Sequence, residues 1–365
     1  MKPKKLDGLE GVRALACIGV VLCHMRGAFF PDSGLAAMVD RTPLKYIFSG
    51  NTPVRIMFIL SGFVLCYKYF STKNTDALQR DAVKRYFRLA IPTAAITLIV
   101  YGMMRLNLLY NAEAAQLTNS QNFLGAFNQF EPELKTALRD GFFGSLFFKA
   151  SGYVGPLWTM TVETLGSFLV FAVVAIIKDR RVRYVFYAAF LLIFPAYYIY
   201  FVLGMMICDI YTGEEKVNRF LQEHPAITIT LHIAAWCYIG LVSNIDSYKW
   251  RGLLFDAASV VMFLTLLNSG LLDRIWGNKV AATVGKHGFS IYLVHWPVIE
   301  SFSSAYLLAL TARGYNHKMI TLSNILLTMV IVYVVSVCFT KLVVVPGNRL
   351  SDKIAAHILG IGIEK

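Results

Sequence analysis

Two side chains in the first apolar stretch have the types and the spacing for chemistry: Arg13 and His24. An ionisable group inside hydrocarbon is costly unless it is paired or hydrated, so each such residue is a functional candidate in its own right. Eleven residues at 100° per residue return a helix to nearly the same face, ~16.5 Å further along its axis. Both side chains would then look into one cavity, the arginine holding an anionic head and the imidazole moving a proton at the far end of an extended molecule. Coenzyme A thioesters have that shape. A snorkelling arginine and a histidine bonded to a neighbouring helix would explain the same two residues without chemistry.

Glu163 falls in the fourth apolar run, about six residues or ~9 Å below the end at Leu157, and His24 is about as deep counted from Phe30. A carboxylate and an imidazole at matching depth can pair, the acid orienting the ring and raising its basicity; a structural ion pair is the competing reading. Lys84, Arg85 and Arg88 before the third run, with Lys286 and His287 before the ninth, could cradle phosphates, although targeting to the cytoplasmic face also explains them. Tyr292 and His295, three apart, share a helix face and could line the same cavity. No His, Cys, Asp or Glu spacing matches a metal motif, and none is expected to bind metal.

These residues need helices to position them. The 365 residues are 56% hydrophobic and 16% charged, with a mean hydropathy of +0.55, a balance that makes a bilayer the natural solvent. The expected fold is all-α and polytopic, with about ten spans of roughly 17–25 residues. They run from about Val12 to Phe30, Pro53 to Tyr69, Ala90 to Leu109, Leu157 to Ile177, Val182 to Pro195, Tyr197 to Tyr211, Ala226 to Val242, Gly252 to Ser269, Gly288 to Leu310 and Ile320 to Leu342. The fifth and sixth meet at Pro195-Ala196-Tyr197, as a tight outer turn or a re-entrant pair. Residues 1–345 are read as the membrane domain and 346–365 as a short cytoplasmic tail. With the N-terminus inside, about 20 Lys and Arg flank the inner ends and about nine the outer ends, Arg41 among them, which places both termini in the cytoplasm.

The net charge of +13 is distributed beside spans, where anionic lipid attracts it, so it argues for membrane lipid and against nucleic acid as partner. Lys2, Lys4 and Lys5 ahead of an apolar run resemble a signal peptide, but Arg13 and His24 interrupt the run, which reads as a retained first helix. The six cysteines lie inside spans without C-x-x-C spacing and read as packing residues. The longest outer connection, about Tyr110 to Pro156, carries the aromatic stretch Gly141-Phe-Phe-Gly-Ser-Leu-Phe-Phe148 and could cover an outer substrate site.

Five motifs in order resemble the membrane acyltransferase-3 family: Arg13, ten residues and then His24, in Leu9-Glu-Gly-Val-Arg13-Ala-Leu-Ala-Cys-Ile-Gly-Val-Val-Leu-Cys-His24; Phe58-Ile-Leu-Ser61-Gly62-Phe63; Arg85-Tyr-Phe-Arg88-Leu-Ala-Ile-Pro92; Trp158-Thr-Met-Thr-Val-Glu163; and Gly285-Lys-His-Gly-Phe-Ser-Ile-Tyr292-Leu-Val-His295-Trp-Pro297. Three positions depart from the pattern: Glu10 where Asp is usual, Thr164 in place of a second acid, and Val345 before Pro346 where many relatives have Glu. The chain also lacks the hydrolase-like domain fused to some members, so a second transfer step would need another protein.

The resemblance implies a multi-pass enzyme of the plasma or inner membrane that O-acylates glycans and related molecules. It implies His24 as catalytic base with Glu163 as supporting acid, and Arg13, Arg85 and Arg88, with Tyr292 and His295, as contacts for cytoplasmic acyl-CoA, acetyl-CoA foremost. The acceptor would be a glycan, a lipid-linked sugar or another hydroxyl compound, and the oligomeric state stays open, a homodimer included. Without the motifs, a transporter using Arg13, His24 and Glu163 as a proton or solute path fits the same intramembrane charges.

Overall fold

The computed structural model describes residues 6–30, 42, 45, 48, 50–193, 197–242 and 249–360. Lys2, Lys4, Lys5, Arg41 and Lys365, which enter the orientation count, lie outside the described residues, as does the Pro195-Ala196 junction. The described residues form helices and connections, without a strand.

Among the described residues, six helices are long and apolar enough to cross a bilayer: α1 (Asp7–Phe29), α2 (Asn51–Thr72), α3 (Thr75–Arg105) and then, after the short α4 (Asn111–Thr118) and α5 (Leu134–Arg139), α6 (Gly155–Ile176). Arg180–Ile193 (α7), Tyr198–Gly213 (α8), Glu215–Glu223 (α9), Pro225–Val242 (α10), Lys249–Asn268 (α11), Gly270–Trp276 (α12) and Lys279–Lys286 (α13) follow. The last two long spans are α14 (Gly288–Ala312) and α15 (His317–Leu359). The described residues do not show ten full spans: α7 and α8 hold 14 and 16 residues. The expected eighth span is a pair, Gly252–Asn268 and Gly270–Trp276, bent by 101°, which brings the total to seven if it crosses as one. The break has a local cause, since the Ser269 hydroxyl accepts from Leu272 N–H at 3.3 Å and starts a new helix at Gly270.

α15 carries Met319, Leu322, Leu326, Val330 and Val334 exposed at helical spacing, a stripe suited to lipid. It is helical as far as Leu359, through the segment read as a tail from 346.

The chain divides into two compact units, one of Met1–Gly19, Val39–Ala82 and Leu165–Lys286, the other of Val20–Met38, Val83–Thr164 and His287–Lys365. In the first, α2 and α8 pack backbone to backbone: a Cβ on Gly204 would collide with the Ile59 carbonyl, and one on Gly62 with that of Phe201. The start of α1 is as close to α12, for a Cβ on Gly11 would overlap the Trp276 carbonyl, and Gly8 N–H donates to Asp273 Oδ1 at 2.8 Å.

A buried ion pair ties α7 to α8. Arg183 Nε and Nη2 donate to the two oxygens of Asp209, each at 2.6 Å, with side chains 3% and 2% exposed. Tyr187 donates to the same carboxylate at 2.6 Å, and Arg183 Nη1 donates to the carbonyls of Ile177 and Lys178, closing the C-terminal end of α6.

In the second unit, the aromatic stretch after α5 is helical and packs on α3. Gly141 lies against Ala94, and Tyr86 OH donates to the Phe142 carbonyl at 3.0 Å, so a π-helical turn, Asp140–Gly144, and its aromatic side chains run along α3. Cys17, Cys66 and Cys208 are buried, and none of the six cysteines forms a disulfide.

Breaking the Arg183 and Asp209 pair on one side strands a charge. Asp209→Ala is expected to cost about 3–5 kcal/mol of stability, and the double variant Arg183→Met with Asp209→Leu to recover most of it; thermal unfolding in detergent reads the difference.

Candidate active site

His24 lies in the part of α1 that belongs to the second unit, and its ring meets that of His295 on α14. Nδ1 of His24 and Nε2 of His295 are 2.7 Å apart, the rings parallel within 2°. His295 is wholly buried. Its other nitrogen, Nδ1, faces the carbonyl of Tyr292 at 2.6 Å and that of Ile291 at 3.2 Å. Carbonyl oxygens only accept, so His295 Nδ1 carries a hydrogen; in a neutral ring its Nε2 is then the acceptor, and the hydrogen in the contact belongs to His24 Nδ1. With both rings neutral, His24 keeps its lone pair on Nε2. That is the form a general base requires, held from behind through His295 by the backbone of α14.

Aromatic side chains complete the surroundings. Trp296, next to His295 and almost fully buried, stands edge-on to His24 with centroids 5.1 Å apart, and Phe123 lies 6.0 Å away. Phe123 and Phe127 both pack on Trp296. Their segment is strapped in place by Thr118 and Ser120, whose hydroxyls each donate to the Ala28 carbonyl at 2.8 Å, and by Asn111, whose amide donates to the carbonyls of Leu124 and Phe127.

Glu163 has a different partner from the one expected. It is ion-paired with Arg85, both largely buried. Arg85 is the eleventh residue of the 31-residue α3, which begins at Thr75 and not near Ala90. This start puts Arg85 ~15 Å along the helix, within reach of a carboxylate inside α6 and away from the surface where a phosphate cradle was expected. A guanidinium also outbids a neutral imidazole for a buried carboxylate, because it neutralises the charge.

The remaining basic candidates each have a partner of their own. Arg88 is exposed and donates from Nε to Asn348 Oδ1 at 3.1 Å, while Lys84 pairs with Asp352 at 3.2 Å. His287 Nδ1 lies 3.0 Å from the Thr340 hydroxyl. Arg13, in the first unit, bonds to Glu10 one turn back on α1 at 2.5 Å. Tyr292 is buried; its hydroxyl donates to the Pro156 carbonyl at 2.7 Å and contacts Thr159 Oγ1 at 2.6 Å, which fixes the turn that leads into α6. Among the described residues, no three His, Cys, Asp or Glu side chains gather as a metal-binding group.

A family described as an acyltransferase domain matches residues 6–343. The chain belongs to this acyltransferase family. O-acetyltransferase PaAT-1 of Phomopsis amygdali is 24% identical over 365 residues, which cover 82% of the acyltransferase described here and 73% of that relative. O-acetyltransferase OatA of Staphylococcus aureus is 22% identical over 353 residues, 83% of this chain but 52% of the relative, so the acyltransferase spans about half of that protein's length. No solved structure matches it. Family membership and the long apolar helices together make the protein a multi-pass membrane acyltransferase.

The sequence singles out His24 and His295 but not the contact that joins them, nor the Trp296 and Phe123 rings around it. The partner of Glu163 is open to a double-mutant cycle. Arg85→Ala and Glu163→Ala are expected to couple by about 1–3 kcal/mol in thermal unfolding, and His24→Ala and Glu163→Ala by about zero.

Proposed function

We propose that the protein is a membrane O-acyltransferase that moves an acetyl or other short acyl group from cytoplasmic acyl-CoA to a hydroxyl of a carbohydrate or related acceptor, with His24 as general base. The observation that carries this reading is the contact between His24 Nδ1 and His295 Nε2, because it leaves His24 Nε2 as the basic nitrogen. Nε2 takes the hydroxyl proton as the acceptor oxygen attacks the thioester carbonyl carbon. The tetrahedral intermediate collapses with cleavage of the C–S bond, and the proton on Nε2 passes to the departing thiolate. The ester and free coenzyme A leave, and His24 is again neutral. Assistance of this kind is worth roughly 10²–10⁴-fold.

His295 is a positioning residue in this scheme: it fixes the His24 tautomer and accepts from Nδ1–H while the ring is cationic. Glu163 acts at one remove, holding the Arg85 guanidinium. Arg88, exposed on α3, is suited by its chemistry to phosphate oxygens of the donor. The basic flanks favour a cytoplasmic N-terminus in a plasma or inner membrane, with the acceptor arriving from the other face.

Free-thiol release from acetyl-CoA by the purified protein in nanodiscs, with and without a pool of glycans, tests the assignment. Wild type is expected to release thiol in an acceptor-dependent way and His24→Ala to release none. His295→Phe, which keeps a ring but removes the acceptor nitrogen, is expected to lower kcat about 10²-fold or more. Undiminished turnover in His24→Ala rejects the base; no release by wild type with any acceptor favours the transporter reading.

A further inference from the structure

The helix that supplies His295 carries a second ionisable group that this chemistry leaves unused. Glu300 lies one turn beyond Trp296, in the π-helical turn Ile299–Ser303, and is wholly buried. Such turns recur at functional sites. Its Oε1 accepts from Asn128 Nδ2 at 2.8 Å, and its backbone carbonyl accepts from Tyr110 N–H at 2.9 Å. Its Oε2 has no hydrogen-bond partner, and neither has Asn128 Oδ1 nor Trp296 Nε1, although the indole is directed at the carboxyl.

Buried polar atoms are nearly always paired, and three unpaired ones at one place are costly. The set is also complementary to one kind of group. A hydroxyl both donates and accepts: it could accept from the Trp296 indole N–H and donate to Glu300 Oε2 or Asn128 Oδ1. Asn128 is held in the left-handed region, φ 59°, which Asn tolerates, and its side chain is only half-buried, marking the side from which a ligand would enter. Trp296 belongs to this cluster and also touches His24, its ring 5.1 Å from the imidazole, so one side chain joins the cluster to the base.

We propose that Glu300, Asn128 and Trp296 form a subsite that binds a second hydroxyl of the acceptor, so that the enzyme selects compounds with two neighbouring hydroxyls over those with one. The proposal rests on His24 being the base for hydroxyl acylation. One hydroxyl of the acceptor is presented to His24 Nε2 while its neighbour is held by the Glu300 carboxyl, and the pair of contacts orients the attacking oxygen.

Infrared difference spectroscopy on the protein in nanodiscs tests binding without turnover, the Glu300 carboxyl band being identified by its loss in Glu300→Gln or, if that variant does not fold, by its shift in Asn128→Ala. Propane-1,2-diol is expected to shift this band and propan-1-ol to leave it in place. Equal responses to the two alcohols overturn the subsite, and so does no response to either, the result expected if only an internal water binds there. Because this arm needs no catalysis, it remains decisive even if wild type transfers no acyl group, a result that would refute the proposed function instead. In the transfer assay, Asn128→Ala is expected to raise KM for a diol acceptor about tenfold, with a smaller change in kcat, and to leave KM for a single-hydroxyl acceptor unchanged. An equal fall in kcat for both acceptors marks a merely structural role and overturns the proposal.

Discussion

A hydrogen bond of 2.7 Å between two imidazoles fixes which nitrogen of His24 carries a hydrogen. His295 could not define the proton of His24 if its own were free to move. It is not free, because two carbonyls of α14 occupy its Nδ1. The chain of assignment therefore begins in the helix backbone, whose carbonyls cannot donate, and ends at His24 Nε2. Trp296 and Phe123 pack against the first ring, and Phe127 packs on Trp296.

The same demand, that polar groups in a membrane protein find partners inside the protein, explains most of the other fixed points. Arg183 and Asp209 satisfy each other and two helix-end carbonyls. Glu163 and Arg85 neutralise each other. His232 accepts on Nε2 from the indoles of Trp236 and Trp276 at 3.1 and 2.9 Å, while its Nδ1 meets Thr265 Oγ1. It thereby holds the bent pair α11 and α12 against α10. Against this background the atoms around Glu300 stand out because three of them, Glu300 Oε2, Asn128 Oδ1 and Trp296 Nε1, gather at one place.

Much of this was legible in the sequence, and the omissions have physical causes. Apolar runs locate the long helices because the bilayer sets their length, as for α1, α2, α6 and α14. The same rule does not tell a short apolar helix such as α7 or α8 from a full-length one, and it cannot see the Ser269 cap that breaks the eighth run. Arg13 and His24 are conspicuous because they interrupt an apolar helix. The partner of Glu163 was not legible, because it depends on where α3 begins and which way its Arg85 face turns. His295 was recognised through its position beside Tyr292, but its role depends on contacts to carbonyls three and four residues back, which no composition reveals. Glu300 was within reach: an acid in the apolar run Trp296-Pro-Val-Ile-Glu300 is the same signal that singled out Glu163.

The most direct test of the account is the protonation pattern of the His24 ring, read by nitrogen NMR on histidine-labelled protein in nanodiscs, with the His24 resonances assigned from a His24→Gln variant. At neutral pH the account predicts a hydrogen on Nδ1 and a bare Nε2, and loss of that fixed preference in His295→Phe. A hydrogen resident on Nε2 in the unmodified protein would contradict it, because His24 would then have no lone pair to offer the acceptor.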